Sequence, residues 1–346
     1  MLRIIDRTSP FGRGIAMKGS GMQAWLCENP TGVEALKWQV MPTPQPKAGE
    51  VRVAIRAASL NFPDLLIVQN KYQTKPALPF VPGSEYSGVV EAVGDGVRHL
   101  KIGDAVAAFG GTGGFATHAC VNVALVMPLP EGFAFDDAAA FILTFGTTHH
   151  ALLDRGQLKA GETLLVLGAA GGVGTAAIQV GKVAGARVIA AASSDEKCEL
   201  CRSIGADETI NYATGNIRET LKTLTNGKGP DVVYDPVGGA IAEPVFRSMA
   251  WRGRYLVVGF AQGGIPTLPL NLPLLKGTSI VGVFWGEFAR REPKANANAL
   301  AELVRWYLEG KVKPVIDQRL PMRDLPAAFA RMGSRKVHGK LVMVNA

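Results

Sequence analysis

The stretch Thr163-Leu-Leu-Val-Leu-Gly-Ala-Ala-Gly-Gly-Val-Gly-Thr175 decides the fold. It opens on a continuous apolar run, the pattern of a parallel strand buried on both faces. It then passes through a glycine-rich turn into an apolar helix expected over Thr175–Ala184. On the G-x-G-x-x-G template the three positions are Ala169, Gly171 and Gly174, with Gly168 just before the replaced first glycine. A strand before the turn and a helix after it give such a pattern its meaning. Gly171 and Gly172, flanked by Ala170 and Val173, let backbone approach a pyrophosphate. Gly174 lets the helix pack tightly on the strand, and the helix N-terminus favours the phosphate charge.

Working outward, the next strand is Arg187–Ala192, and further β–α units end in strands at Val232–Asp235, Tyr255–Gly259 and Ile280–Phe284. Residues 145–287 therefore read as a Rossmann-type, doubly wound parallel sheet in an α/β chain. Upstream the character is β-rich. Val51–Ala57 and Gly88–Val93 alternate as half-buried strands do, and prolines at positions 42, 44, 46, 76, 79 and 82 separate short strands. Helices are expected from Asp136 and over Phe145–Arg155. A tail with helices at Asn298–Glu309 and Asp324–Met332 and a strand at Lys340–Val344 can return to complete the barrel-like first domain, which then spans 22–144 and 288–346. Residues 1–21 carry Arg3, Arg7, Arg13 and Lys18 against Asp6 and end in Gly-Ser-Gly. They lack the apolar centre of a secretory signal and read as a disordered extension.

Composition narrows the function classes. Apolar residues at 47% and charged residues at 19% suit a packed globular chain. No apolar run approaches the ~18–20 residues of a membrane helix. The 37 basic and 29 acidic residues leave a net charge of +8, which suggests an anionic partner. Without a Lys/Arg block or a nucleic-acid motif, nucleic acid is the weaker choice of partner. Cys27, Cys120, Cys198 and Cys201 make no disulfide framework, so a reduced, cytoplasmic setting is the default.

The end of the second strand chooses the cofactor. A carboxylate ~20 residues after the glycine turn would bind a ribose 2′-hydroxyl. That position falls at Ala192, followed by Ser193, Ser194 and Lys197. Two hydroxyls and an ammonium suit a 2′-phosphate, so NADPH is favoured over NADH. Asp195 lies past the strand end, where Ser194 can cap a helix.

The whole pattern resembles the medium-chain dehydrogenase/reductase superfamily, whose first domain is a GroES-like catalytic barrel. Pro82-Gly-Ser-Glu-Tyr-Ser-Gly-Val-Val-Glu-Ala-Val-Gly94, Ser193-Ser-Asp-Glu-Lys197, Gly205-Ala-Asp-Glu-Thr-Ile-Asn-Tyr212 and Val233-Tyr-Asp-Pro-Val-Gly-Gly239 look like its NADPH:quinone oxidoreductase branch. Zinc-dependent relatives carry His where this chain has Ser84 and Cys where it has Asn61, so the resemblance implies a zinc-free reductase with no metal site. Hydride would pass to a quinone or an α,β-unsaturated carbonyl; an acryloyl- or enoyl-thioester reductase is the alternative. A crystallin-like or RNA-binding role that retains NADPH is the rival of another class. The resemblance implies that Asn61 and Tyr72 line the pocket, that Asp64 orders it, and that Thr147 bonds the nicotinamide carboxamide. It also places Tyr212 by the adenosine, Val237, Gly259, Phe260 and Phe284 at strand ends by the nicotinamide, and Arg335, assisted by Lys340, as a second phosphate clamp. The strand over 279–284 resembles one that pairs across a homodimer. Leu66 stands where the branch keeps a tyrosine, which leaves the choice among acceptors open.

Overall fold

A computed structural model describes residues 21–345; the expected extension lies outside them except for Gly21, which opens the first strand. β1 (Gly21–Leu26) and β2 (Lys37–Pro42) form a hairpin-like pair. The catalytic half continues through β3 (Glu50–Ser59), α1 (Phe62–Val68), β4 (Glu85–Val93), β5 (Ala105–Phe109), β6 (His118–Asn122) and β7 (Val126–Pro128). α2 (Phe135–Ala139) and α3 (Ile142–His149) lead out of it. There follow β8 (Thr163–Leu167), α4 (Gly172–Val183), β9 (Arg187–Ala192), α5 (Asp195–Ser203), β10 (Glu208–Asn211), α6 (Ile217–Leu224), β11 (Val232–Asp235), α7 (Ala242–Arg247), β12 (Arg254–Val257), α8 (Asn271–Lys276) and β13 (Ser279–Gly282). α9 (Trp285–Arg291), α10 (Pro293–Leu308), β14 (Ile316–Pro321), α11 (Leu325–Gly333) and β15 (Lys340–Val344) complete the chain.

Six strands form an all-parallel sheet in the order β10-β9-β8-β11-β12-β13. Counted from β8 this is 3-2-1-4-5-6, the doubly wound order whose ligand crevice lies where the order reverses, between β8 and β11. The apolar run of β8 has a direct cause. Leu164 and Val166 join one core while Leu165 and Leu167 join another on the opposite face, and all four are fully buried. Helices cover both faces, so no position can be polar. Val188 and Ala190 against Ile189 and Ala191 repeat the division in β9.

The second sheet runs β14-β15-β3-β4-β5-β7, with β6 also on β3. The tail returns: β15 lies antiparallel to β3 and parallel to β14. Here one face carries the core, so Val51, Val53 and Ile55 alternate with less buried Arg52 and Ala54.

Several boundaries differ from the sequence reading. α4 begins at Gly172 rather than Thr175, because the glycine turn winds directly into the first helical turn. α3 begins at Ile142, and the stretch to Arg155 continues it as a π-helical segment. β13 stops at Gly282, and Phe284 instead caps α9. Cys198 and Cys201 face the core from α5; burial pushes the Cys201 thiol up to about 12, which leaves it a protonated, unreactive packing residue.

Gly174 ties strand, turn and helix together. A Cβ there would stand 2.4 Å from the Gly168 carbonyl oxygen and 2.7 Å from the Ala169 Cα. Those atoms are backbone and cannot rotate away. Gly174→Ala should therefore lower unfolding free energy by ~1–3 kcal/mol in denaturant titration, as overpacking does; an unchanged midpoint would refute the close-packing role.

Candidate functional site

The crevice between β8 and β11 is floored by the turn from Gly168 to Gly172. Gly168 takes φ +57° and its Cα faces Val237, where a Cβ would meet the side chain at 2.7 Å. A Cβ on Gly171 would meet only the Gly168 oxygen, at 3.4 Å, so the outer side of the turn is open. Gly171 is also the N-cap of α4 and has no side chain to cap it. The amides of Gly172, Val173 and Gly174 open the helix and have no intrahelical carbonyl to bond. First-turn N–H groups without a side-chain cap, an open outer side of the turn and the positive end of a twelve-residue helix fit the pyrophosphate of a nicotinamide dinucleotide.

At the far side of the crevice, the end of β9 gathers four of the expected residues. The Lys197 ammonium donates to Ser193 Oγ at 3.3 Å and to the Arg335 carbonyl at 2.7 Å. Tyr212 is half-buried, near Ser193 and close to the Arg335 charge. Burial holds the Lys197 ammonium below its usual range, with Arg335 adding to the effect. Ser194 accepts the Lys197 N–H as the cap of α5. Asp195 is turned to Asn211 at 2.8 Å, so its carboxylate is engaged away from the Lys197 ammonium. Two adjacent cations and two hydroxyl-bearing side chains make this corner suited to a dianion.

Val237, Gly259 and Phe260 gather at the ends of β11 and β12. Asp235 organises them: one carboxylate oxygen accepts the Val237 and Gly238 amides at 2.8 and 2.9 Å, and the other accepts Tyr255 OH at 2.5 Å. Phe284, one strand farther out and 56% exposed, is not joined to the glycine turn by any of these contacts. Thr147 is half-buried on α3, between Thr144, which bonds the Ala140 carbonyl, and Thr148, which bonds Val173 O and Tyr234 OH.

Lys340 corrects its expected role as an assistant phosphate clamp. Gly339 takes φ +84° and its N–H bonds Ala170 O at 2.7 Å, which lays the tail across the glycine turn. The Lys340 side chain then runs beneath Gly172, where a Cβ would meet its Cδ at 2.6 Å. Its ammonium points away from the turn, donating to Leu60 O at 3.0 Å and to Asn61 Oδ1. At 5% exposure it is part of the cleft floor.

Asn61 is likewise more enclosed than a pocket-lining residue; it is 4% exposed. Its Nδ2 lies 3.3 Å from Glu85 Oε2 and 3.4 Å from Ser59 Oγ, long contacts that occupy the amide. Asp64 bonds the Asn61 and Ser84 amides at 2.8 and 3.0 Å, so it fixes the start of α1 against the Ser84 loop. Tyr72, half-buried, keeps its phenolic proton: burial and the Asp64 charge both raise its pKa. Glu85, fully buried, was missed by sequence reasoning; it also accepts Ser59 Oγ–H at 2.9 Å and Leu143 N–H at 2.9 Å. Its signal was a carboxylate opening the strand run Glu85-Tyr-Ser-Gly-Val-Val.

Burial pushes the Glu85 and Asp64 carboxyls up, Asp64 to about 6, while Lys340 opposes both shifts. Burial also pushes Lys340 down, and the two carboxylates oppose that. Removing the ammonium alone strands Asn61 Oδ1 and Glu85. Lys340→Met should cost ~3–5 kcal/mol of stability, as a broken buried pair does. Glu85→Gln with Lys340→Met should cost less than the sum of the single changes; additivity in that double-mutant cycle would show the groups to be uncoupled.

The Asp64 shift has an unusual sign. With a native pKa of about 6 above an ordinary 3.8, the folded chain holds a proton that the unfolded chain releases between pH ~4 and ~6. Asp64 therefore takes stability away as pH rises through that window. Unfolding free energies at pH 4, 5 and 6 should fall less steeply in Asp64→Asn than in the wild type; equal slopes would contradict the shift.

Comparison with known proteins adds independent findings. Residues 47–131 match the family described as alcohol dehydrogenase GroES-like domain, and residues 172–304 match the one described as zinc-binding dehydrogenase. Quinone oxidoreductase-like protein 2 of Bos taurus is 38% identical over 87% of this chain and 87% of its own length. A quinone oxidoreductase structure from Pseudomonas syringae superposes with a TM-score of 0.88 at 30% identity, covering 94% of this chain and all of its own (100%). A mycobacterial protein solved in complex with NADPH gives 0.87 at 29% identity, over 93% and 100%.

Proposed function

We propose that this chain, which belongs to the medium-chain dehydrogenase/reductase superfamily and to its quinone oxidoreductase branch, is a zinc-free NADPH-dependent reductase of quinones or α,β-unsaturated carbonyls. The observation that carries the reading is the corner at the end of β9, where Lys197, Ser193, Tyr212 and Arg335 converge and Asp195 is turned away to Asn211. Bound NADPH would supply the hydride. The α4 amides hold the pyrophosphate, Ser193, Ser194, Lys197, Tyr212 and Arg335 hold the 2′-phosphate, and Thr147 orients the carboxamide. Val237, Gly259, Phe260 and Phe284 border the nicotinamide end.

The cleft floor does the rest. As hydride arrives, negative charge collects on the acceptor oxygen. Tyr72, held in its protonated form, donates to that oxygen, and the fixed Lys340 charge behind Asn61 favours it electrostatically. The same ammonium supports a zinc-free site. It already binds Asn61 Oδ1 and faces Glu85 and Asp64, so a divalent cation would meet a fixed positive charge.

A homodimer through the β13 edge belongs to this reading. Ile280 and Phe284 are 44% and 56% exposed, and Leu270, Leu274 and Ile265 nearby in the chain are 75–82% exposed. An uncovered apolar edge invites a second copy. The four cysteines are free thiols, which suits the cytoplasm, and no helix among the described residues is long and apolar enough to cross a membrane.

The reading is tested by following NADPH oxidation with quinones, enals, enones and enoyl-CoA thioesters; silence across the panel would favour a binding role over catalysis. For the cofactor, Lys197→Glu should weaken NADPH binding tenfold or more, the loss of ~1.5–3 kcal/mol expected for a charge-assisted hydrogen bond, and leave NADH little changed. Tryptophan fluorescence titration measures both; equal losses would refute the 2′-phosphate assignment.

A further inference from the structure

Beside the cleft lies an apolar groove that none of the assigned roles uses. Its volume is about 630 Å3, within the ~300–1,000 Å3 of small-molecule sites. It runs between β7 with the residues after it and one face of α10. Among the described residues no Asp, Glu, Lys or Arg lines it, and on Asn296, its one side-chain amide, Oδ1 accepts the Trp285 indole N–H at 3.0 Å.

The inner wall of the groove is an aromatic pair. Phe109 and Trp285 meet edge to face with centroids 4.9 Å apart. Phe109 stands directly opposite Glu85 in the β4–β5 ladder. Trp285 lies on Gly146, where a Cβ would come within 2.9 Å of the indole, and Gly146 adjoins Thr147. Groove and cleft thus share a wall through chain and ladder neighbours.

We infer that this groove holds the aliphatic tail of the acceptor, so that the preferred substrates are lipophilic quinones or medium- to long-chain enals and enones. The inference rests on the reductase reading. A charged head would find no counter-charge in the groove, whose lining is apolar but for one amide, so an apolar chain fits, with its reactive end fixed in the cleft. A peptide is disfavoured, because β7 is three residues long and ends in Pro128, which has no N–H to offer.

The test uses trans-2-enals from four to twelve carbons with NADPH. KM should fall about fourfold per methylene once the chain enters the groove. In parallel, cofactor-free protein is titrated with dansylaminoundecanoic acid, which should bind with enhanced fluorescence. Ala297→Trp places a ring in the groove from an exposed position on α10 and should abolish both the length dependence and the probe signal. Ala295→Trp, exposed on the same helix but outside the groove, should keep both. Turnover with a length-independent KM, or probe binding indifferent to Ala297→Trp, would overturn the inference while leaving the reductase intact. If no enal or quinone oxidises NADPH, the reductase reading fails, and the probe titration alone decides the groove: no binding overturns it.

Discussion

The ammonium of Lys340 is the interaction on which both halves of the molecule converge. It belongs to the last strand of one sheet, it passes under the glycine turn of the other, and it ends among Leu60, Asn61 and Glu85. A buried cation is costly unless every part of it is answered. Here the answer comes from a backbone carbonyl, an amide oxygen and two carboxyls, drawn from the β3–α1 junction, α1 and β4. The geometry of the cleft floor therefore follows from the need to satisfy one charge. Gly172 and Gly339 are the backbone conditions of that placement, since a side chain at either would displace the lysine or its strand.

Much of the nucleotide half was legible because its signals are local. An apolar run without polar breaks, a glycine turn and a helix each follow from residues within one short stretch. The division of β8 into two cores shows why the run had to be continuous. Ser194 as a cap is also a local pattern. The family comparisons agree with the fold class read from these features.

What stayed hidden depends on residues far apart in the chain. Lys340 and Asn61 are separated by 279 positions, and nothing near Lys340 indicates that its partner is an amide. A lysine beside Arg335 and after a glycine is naturally read as a surface cation aimed at phosphate. Glu85 was overlooked for a related reason: its neighbour Ser84 drew the comparison with metal ligands, while the carboxylate has its partners in β3, α1 and α3. Phe284 shows the limit of pattern at an element's end, where an apolar run outlasts the hydrogen-bonded strand.

The position of β15 bears on how the molecule comes into being. It lies between β14 and β3, so the sheet that opens first in the chain has a gap until the final strand arrives. All six parallel strands are synthesised in the interval. The nucleotide half can mature as a local unit, whereas the Ala57–Ser59 end of β3 waits with one edge unpaired and Glu85 without its counter-charge. Pairings of such high sequence separation form slowly. During synthesis the half-built catalytic sheet is thus the vulnerable species, and the arrival of one lysine neutralises its core and closes its edge in the same event.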